Sequence, residues 1–159
     1  NHRKALPGYD TILSFMNAAT AALLFTQTFA VLAEAAGLGT CFLGTTVYMP
    51  QMIIDTFHLP QLVMPVATLT VGWPDEKPAQ TDRLPLRSIV HSETFDDYTP
   101  EKIDDFYAEK EALEENKEFV RTNQVETLAQ VFTDIRYTKK DCEAMSTGFM
   151  EALRKQGFI

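Results

Sequence analysis

The fold of this chain is decided by residues Ile12–Gly44, which read ILSFMNAATAALLFTQTFAVLAEAAGLGTCFLG. The clearly polar side chains of the first part lie three, seven and seven residues apart: Asn17, Thr20, Gln27 and Glu34. Residues at these spacings share one face of an α-helix. The other positions are largely Leu, Phe, Val, Met or Ala. Because a helix that is apolar on nearly every side is normally buried on nearly every side, we predict a long, buried central helix.

A short strand is expected directly after this helix. Gly37 ends the helix, since glycine adopts the left-handed C-terminal conformation at little cost. The run Thr40–Leu43 is short and mostly apolar, which is typical of a buried strand. The strand is expected to end at Gly44.

The composition indicates a single domain. The chain has 159 residues, of which 45% are hydrophobic and 23% charged, enough to form a hydrophobic core. Charged residues are rare in the first half and dense in the second. We therefore predict one domain over residues 1–159, in which residues 99–159 form a C-terminal helical extension. The net charge of −8 argues against a nucleic-acid partner, since phosphate binding needs a basic surface.

The cysteine content favours a reducing compartment. The chain contains two cysteines, Cys41 and Cys142, in different kinds of segment, which indicates no disulfide framework. A cytoplasmic location fits this pattern best.

A membrane-spanning helix is the alternative interpretation of residues 12–36, because the segment is long enough to cross a bilayer. Its polar seam, its many alanines and the absence of a Lys or Arg flank at its C-terminal end argue against that interpretation. We favour a buried helix that faces a partner subunit across its alanines, and no membrane contact.

The rest of the chain is expected to contain one strong strand and several helices. A short helix begins near Pro50, with proline in its first turn. Leu62–Trp73 is rich in Val, Leu and Thr, which predicts a central strand that begins near Pro65. Three helices then follow. The first is capped by Thr99 before proline, the second by the pair Asn123 and Glu126, and the third by the pair Thr138 and Asp141 before it ends at Gly157.

No side-chain constellation in the sequence points to a catalytic or metal site. The three histidines are far apart, and no His, Cys or Asp cluster has zinc spacing. The glycines at 37 and 39 end a helix and begin a strand, the reverse of the order in a dinucleotide fingerprint. What remains is a backbone site at Gly44-Thr45-Thr46, where main-chain N–H groups could donate to a planar heterocycle. The alternative interpretation is that Gly44 forms a turn that binds no ligand.

Three blocks of sequence together resemble the nitroreductase family of flavoproteins, most closely its NADPH-dependent nitroreductases and flavin reductases. The blocks are AEAAGLGTCFLG at 33–44, VMPVATLTVGWPDEKP at 63–78 and RLPLRSIVH at 83–91. The ending FMEALRKQGF at 149–158 is also similar to that subfamily. The resemblance implies an α+β fold with a mixed sheet flanked by helices. It further implies a homodimer with a long central helix at its interface and FMN bound between the subunits.

The resemblance also assigns the cofactor-binding residues. Phe42, Leu43, Gly44 and Thr45 would lie along the isoalloxazine ring, with the Gly44 N–H donating to flavin N5 and the Thr45 N–H near O4. Such a donor would help to stabilise charge on the reduced ring. The guanidinium of Arg83 would bind the FMN phosphate, since its fork suits an anionic oxygen pair.

Two features of the family's pattern differ in this chain. The subfamily often has a lysine two residues before the arginine, where this chain has Thr81, and Lys77 could take that role. The Arg-x-Ser-x-Arg segment with which the family begins is not among the 159 residues, so the resemblance implies the C-terminal portion of such a domain.

The function implied is that of an FMN-dependent NAD(P)H oxidoreductase. Electrons would pass by way of the flavin to a nitroaromatic, quinone or flavin acceptor, with no protein acid or base required. The alternative is a truncated, non-catalytic dimerising module of the same fold that binds no flavin.

Overall fold

The computed structural model describes residues 8–159 of the chain. These residues divide into two compact units: the first comprises residues up to 77 together with 140–159, and the second comprises residues 78–139. The first unit contains α1 (Ile12–Ala35), β1 (Gly39–Leu43), α2 (Pro50–Phe57), β2 (Thr68–Gly72) and α6 (Lys139–Lys155). The second contains a 3-10 turn (Leu86–Ser88), α3 (Pro100–Ala112), α4 (Glu114–Asn123), α5 (Leu128–Gln130) and a π-helix (Val131–Arg136).

Both ends of α1 are set by local sequence. The Thr11 hydroxyl accepts a hydrogen bond from the Ser14 N–H at 3.2 Å, which caps the first turn. At the other end Gly37 has a φ of +85°, as the sequence predicted. The Leu38 N–H donates to the Ala33 carbonyl at 3.0 Å, which completes a Schellman turn and directs the chain into β1.

Within the single chain, α1 is less buried than its apolar sequence predicts. Its buried residues are Phe15, Ala30 and Ala33, whereas Leu24 and Phe25 are 66% and 72% exposed. The first unit has a two-stranded sheet and few helices, so it lacks the surface to cover a 24-residue helix on all sides. Near the N-terminus of α1, Phe15 lies in a cluster with Leu153 and Phe158. The predicted contact of α1 with a partner subunit stays a prediction.

The apolar character of α1 is reflected in its hydropathy. Among the described residues, α1 is the one helix long and apolar enough to cross a membrane, with a mean hydropathy of 1.4 over an 18-residue window. The core helix of a soluble protein meets the same criteria, so this property alone assigns no location to α1.

The sheet of the described residues has two antiparallel strands. Gly39 pairs with Gly72 at one end of the β1–β2 ladder, and Leu43 pairs with Thr68 at the other. The predicted position of β1 is confirmed, but its last three residues are exposed rather than buried. The predicted α+β class is confirmed, since the described residues contain six α-helices and an antiparallel sheet.

The second strand is shorter than predicted, and it has one partner rather than a central place in the sheet. The predicted start near Pro65 is wrong, because pairing begins at Thr68, which lies opposite Leu43, the last residue of β1. Further upstream the chain is turned: Leu62 has a φ of +62°, and its N–H donates to the Gln156 carbonyl at 2.9 Å.

The second unit confirms one predicted helix start and corrects another. Thr99 caps α3, with its hydroxyl accepting from the Lys102 N–H at 3.4 Å. The predicted cap pair Asn123 and Glu126 is wrong, because Asn123 is the last residue of α4, a helix that the sequence analysis did not identify. Thr127 and Gln130 form the capping box instead.

The helix predicted after residue 125 takes a different form in the structure, whereas the end of the last helix is as predicted. The stripe predicted after residue 125 forms α5 and the π-helix, in which the Tyr137 N–H reaches back five residues to the Phe132 carbonyl at 2.8 Å. The last helix, α6, ends at Lys155 and is followed by the predicted terminating glycine, Gly157, with a φ of +81°. By contact it belongs with the first unit.

Candidate functional site

The end of β1 presents an exposed strand and turn. Phe42 and Leu43 are 43% and 42% exposed, and Gly44 and Thr45 are exposed as well. The chain then turns toward α2, and the Tyr48 N–H donates to the Thr45 carbonyl at 3.0 Å. The structure thus brings four of the predicted cofactor-binding residues together at one end of the sheet.

The turn is secured by the side chain of Thr46, which is only 5% exposed. The Thr46 Oγ1 lies 3.1 Å from the Leu43 carbonyl oxygen and 2.9 Å from the Thr68 Oγ1. A carbonyl can only accept, so the single Thr46 hydroxyl proton goes to Leu43, and Thr68 donates to Thr46. This Thr46–Thr68 hydroxyl pair ties the turn to the first residue of β2.

The surface at Gly44 is open to a flat ligand. A Cβ placed on Gly44 would meet no atom within 4 Å, and its φ lies outside the left-handed region. Within residues 8–159, the N–H groups of Gly44 and Thr45 donate to no backbone or side-chain acceptor. Two adjacent backbone donors beside unobstructed space fit the edge of a planar heterocycle such as isoalloxazine.

Arg83, the predicted phosphate ligand, lies in the second unit. Its Nη1 donates to the carbonyl oxygens of Thr81 and Asp82 at 3.2 and 2.9 Å, and also to the Thr81 hydroxyl. In the described part of the chain its Nε and Nη2 have no partner. These two groups form one edge of the guanidinium fork, so an anionic oxygen pair can be bound there in bidentate fashion.

The loop that carries Arg83 is tied to α3 by the Asp82–Lys110 ion pair, whose side chains are each 25% exposed. The hydrogen bond from Lys110 holds the pKa of the Asp82 carboxyl below its ordinary value of 3.8. Sequence analysis missed this pair, and it also missed the role of the Thr46 side chain. The partners are 28 and 22 residues apart, and no local pattern links them.

The Asp82–Lys110 pair predicts a loss of stability in acid. A carboxyl whose folded-state pKa is lowered stabilises the fold above its ordinary pKa, and this contribution is lost as the pH falls through the folded-state pKa. We expect Lys110→Met to be less stable than the wild type at pH 7, with the difference shrinking below about pH 4. The difference in the free energy of unfolding between the variant and the wild type is measured by urea unfolding from pH 7 down to pH 2.

The matched control is Lys117→Met, because the ammonium of Lys117 lies a long 3.9 Å from Glu114. This variant is expected to leave the pH dependence unchanged. A difference between Lys110→Met and the wild type that stays constant down to pH 2 would contradict the assignment.

No metal site competes with this interpretation in the described residues, where no group of three His, Cys, Asp or Glu side chains could hold a metal ion. Both cysteines are exposed. The candidate donors of the first unit are the backbone N–H groups of Gly44 and Thr45, and the candidate anion ligand of the second unit is Arg83.

No protein-family model matches the chain, but it is similar to several curated reductases. It is 35% identical over 82 residues to a Cr(VI) reductase of Pseudomonas sp., a match that covers 52% of this chain and 32% of the relative. It is 38% identical over 63 residues to an NAD(P)H-dependent FMN reductase of Bacillus subtilis, covering 40% of this chain and 25% of the relative. The chain thus matches about a third or less of the length of these relatives.

The solved structures extend the likeness to nearly the whole chain. A candidate oxidoreductase of Bacteroides fragilis superposes with a TM-score of 0.96 at 59% identity, covering 99% of this chain and 64% of that one. Flavin reductases and nitroreductases are among the other relatives and structural neighbours. The resemblance stated from the sequence is confirmed: the relatives and structural neighbours of this chain are nitroreductase-family FMN reductases, and its fold is nitroreductase-like.

Proposed function

We propose that this protein is an FMN-dependent NAD(P)H oxidoreductase of nitroreductase type. The observation that carries the proposal is the open backbone at Gly44 and Thr45, where two N–H donors lie beside space that no side chain fills. The relatives support it, since they include an NAD(P)H-dependent FMN reductase and an oxygen-insensitive NADPH nitroreductase.

The residues divide the binding of FMN between ring and phosphate. The N–H groups of Gly44 and Thr45 hold the edge of the isoalloxazine ring, and the exposed side chains of Phe42 and Leu43 flank it. The free edge of the Arg83 guanidinium takes the phosphate. When bound, FMN supplies the redox chemistry, accepting a hydride from NAD(P)H and passing electrons to a nitroaromatic, quinone or flavin acceptor.

The proposal includes a cytoplasmic homodimer. The exposed apolar side chains of α1, among them Leu24, Phe25 and Leu32, form a surface that a second copy of the chain would cover. Burying such side chains stabilises an interface by removing apolar area from water. We also propose that residues 1–159 form a single domain, in which residues 99–159 are a C-terminal helical extension.

A visible absorption spectrum of the purified protein, recorded with FMN and then with NADPH under anaerobic conditions, tests the function. We expect flavin bands that remain with the protein after gel filtration and that bleach when NADPH is added. Addition of a quinone should restore the bands. A protein that stays colourless after incubation with FMN would contradict the proposal and favour a dimerising module that binds no flavin.

A further inference from the structure

We infer that Thr46 is a positioning residue, which acts through Leu43 to orient the Gly44 N–H toward the bound flavin, with Thr68 holding Thr46 in place. This inference rests on the proposed function and deepens it. Thr46 itself does not touch the flavin. It sets the direction of the Gly44 N–H, which does.

The Leu43–Gly44 peptide group connects the Thr46 hydroxyl to the Gly44 N–H. The Leu43 carbonyl and the Gly44 N–H belong to the same planar peptide unit. No described peptide bond is cis, so the carbonyl and the N–H of this unit point in opposite directions. Holding the Leu43 oxygen at 3.1 Å from the Thr46 Oγ1 therefore directs the Gly44 N–H away from Thr46.

The hydrogen bond from Thr46 to Leu43 restrains rotation of the Leu43–Gly44 peptide. Gly44 has no side chain to restrict its backbone, and nothing lies within 4 Å of its Cβ position. Leu43 is paired with Thr68 at the end of the ladder, and the Thr46 hydroxyl adds a hydrogen bond to the Leu43 carbonyl that further restricts rotation of the Leu43–Gly44 peptide. Thr46 is buried, so water does not compete for this hydrogen bond.

Thr46 is also linked to β2, through the hydroxyl of Thr68. Thr68 is the first residue of that strand and pairs with Leu43 in the ladder. Its hydroxyl lies 2.9 Å from the Thr46 Oγ1, which leaves the Thr46 proton directed at Leu43. The turn is thereby tied to the strand at both the backbone and the side chain, and the donor is oriented before the flavin binds.

The experiment compares wild type with three variants. Thr46→Val removes the hydroxyl at nearly constant shape, Thr46→Ser retains it, and Thr68→Val removes the outer partner alone. We measure the FMN dissociation constant, the midpoint potential of bound FMN, and, without FMN, the NMR order parameter of the Gly44 amide. Circular dichroism and thermal unfolding establish that each variant is folded.

We expect Thr46→Val to weaken FMN binding about tenfold, to shift the potential to a more negative value and to lower the Gly44 order parameter. Thr46→Ser should restore all three, and Thr68→Val should show the same changes at smaller size. A merely structural role would change stability without shifting the potential.

The outcomes separate the two proposals. A wild type that binds no FMN overturns the proposed function and this inference with it. A wild type that binds FMN, beside a folded Thr46→Val variant with unchanged affinity, potential and Gly44 order parameter, overturns only the positioning role. If Thr46→Val does not fold, Thr68→Val decides in the same way.

Discussion

Replacing Gly44 by valine is expected to weaken FMN binding about 100-fold, or about 2.7 kcal/mol, while the protein keeps its fold. The structure makes these two effects separable. A Cβ at Gly44 meets nothing within 4 Å in the chain itself, and its φ is one that valine can adopt. The same side chain would occupy the space through which the flat ring approaches. Fluorescence titration of FMN and circular dichroism measure the two effects independently.

Gly72→Val is the matched control. Gly72 also has open space at its Cβ position, but it pairs with Gly39 at the opposite end of the sheet. Gly72 is four residue steps from Thr68, which places it about 13 Å along the strand from the candidate site. We expect wild-type affinity for FMN in this variant. Equal weakening in Gly44→Val and Gly72→Val, or none in either, would contradict a flavin edge at Gly44.

Arg83→Ala is expected to lower the affinity for FMN about 10- to 100-fold, which corresponds to the loss of hydrogen bonds to a charged group. The loss should be specific to the phosphate. We therefore expect the variant to bind riboflavin, which has no phosphate, as the wild type does. Titration of both flavins against both proteins gives the difference.

Arg87→Ala is the control for the loss of one positive charge in the same unit. Arg87 is 61% exposed and is paired with Asp105 at 2.8 Å, so its guanidinium is already engaged. FMN affinity should not change in this variant beyond a small effect of net charge. If Arg83→Ala bound FMN and riboflavin with unchanged affinities, the phosphate would have to be held elsewhere.

Features set by neighbouring residues were predictable from the sequence. The Thr99-Pro100 helix start depends on one hydroxyl and the N–H group three residues on. The ends of α1 and α6 depend on the left-handed conformations of Gly37 and Gly157. Each of these determinants acts within one helical turn, so a single sequence contains all of the information.

Features that depend on distant packing were not predictable. The exposure of α1 depends on which other elements are available to cover it, and hydrophobic periodicity carries no such information. The late start of β2 at Thr68 depends on where its partner β1 ends, at Leu43, 25 residues earlier in the chain. The open backbone at Gly44 was inferred from the sequence, but the burial of Thr46 next to it was not.

The register of β1 and β2 has a consequence for the order in which the candidate site forms. The helix α1 and its Schellman turn use contacts within five residues of one another, and such local structure forms in about a microsecond or less. The Thr46–Thr68 hydroxyl pair closes a loop of 22 residues, whose ends must meet at a cost in chain entropy. If Gly44 binds the flavin as proposed, its donor gains its direction only when the two strands meet, and we expect cofactor binding to follow strand pairing in time.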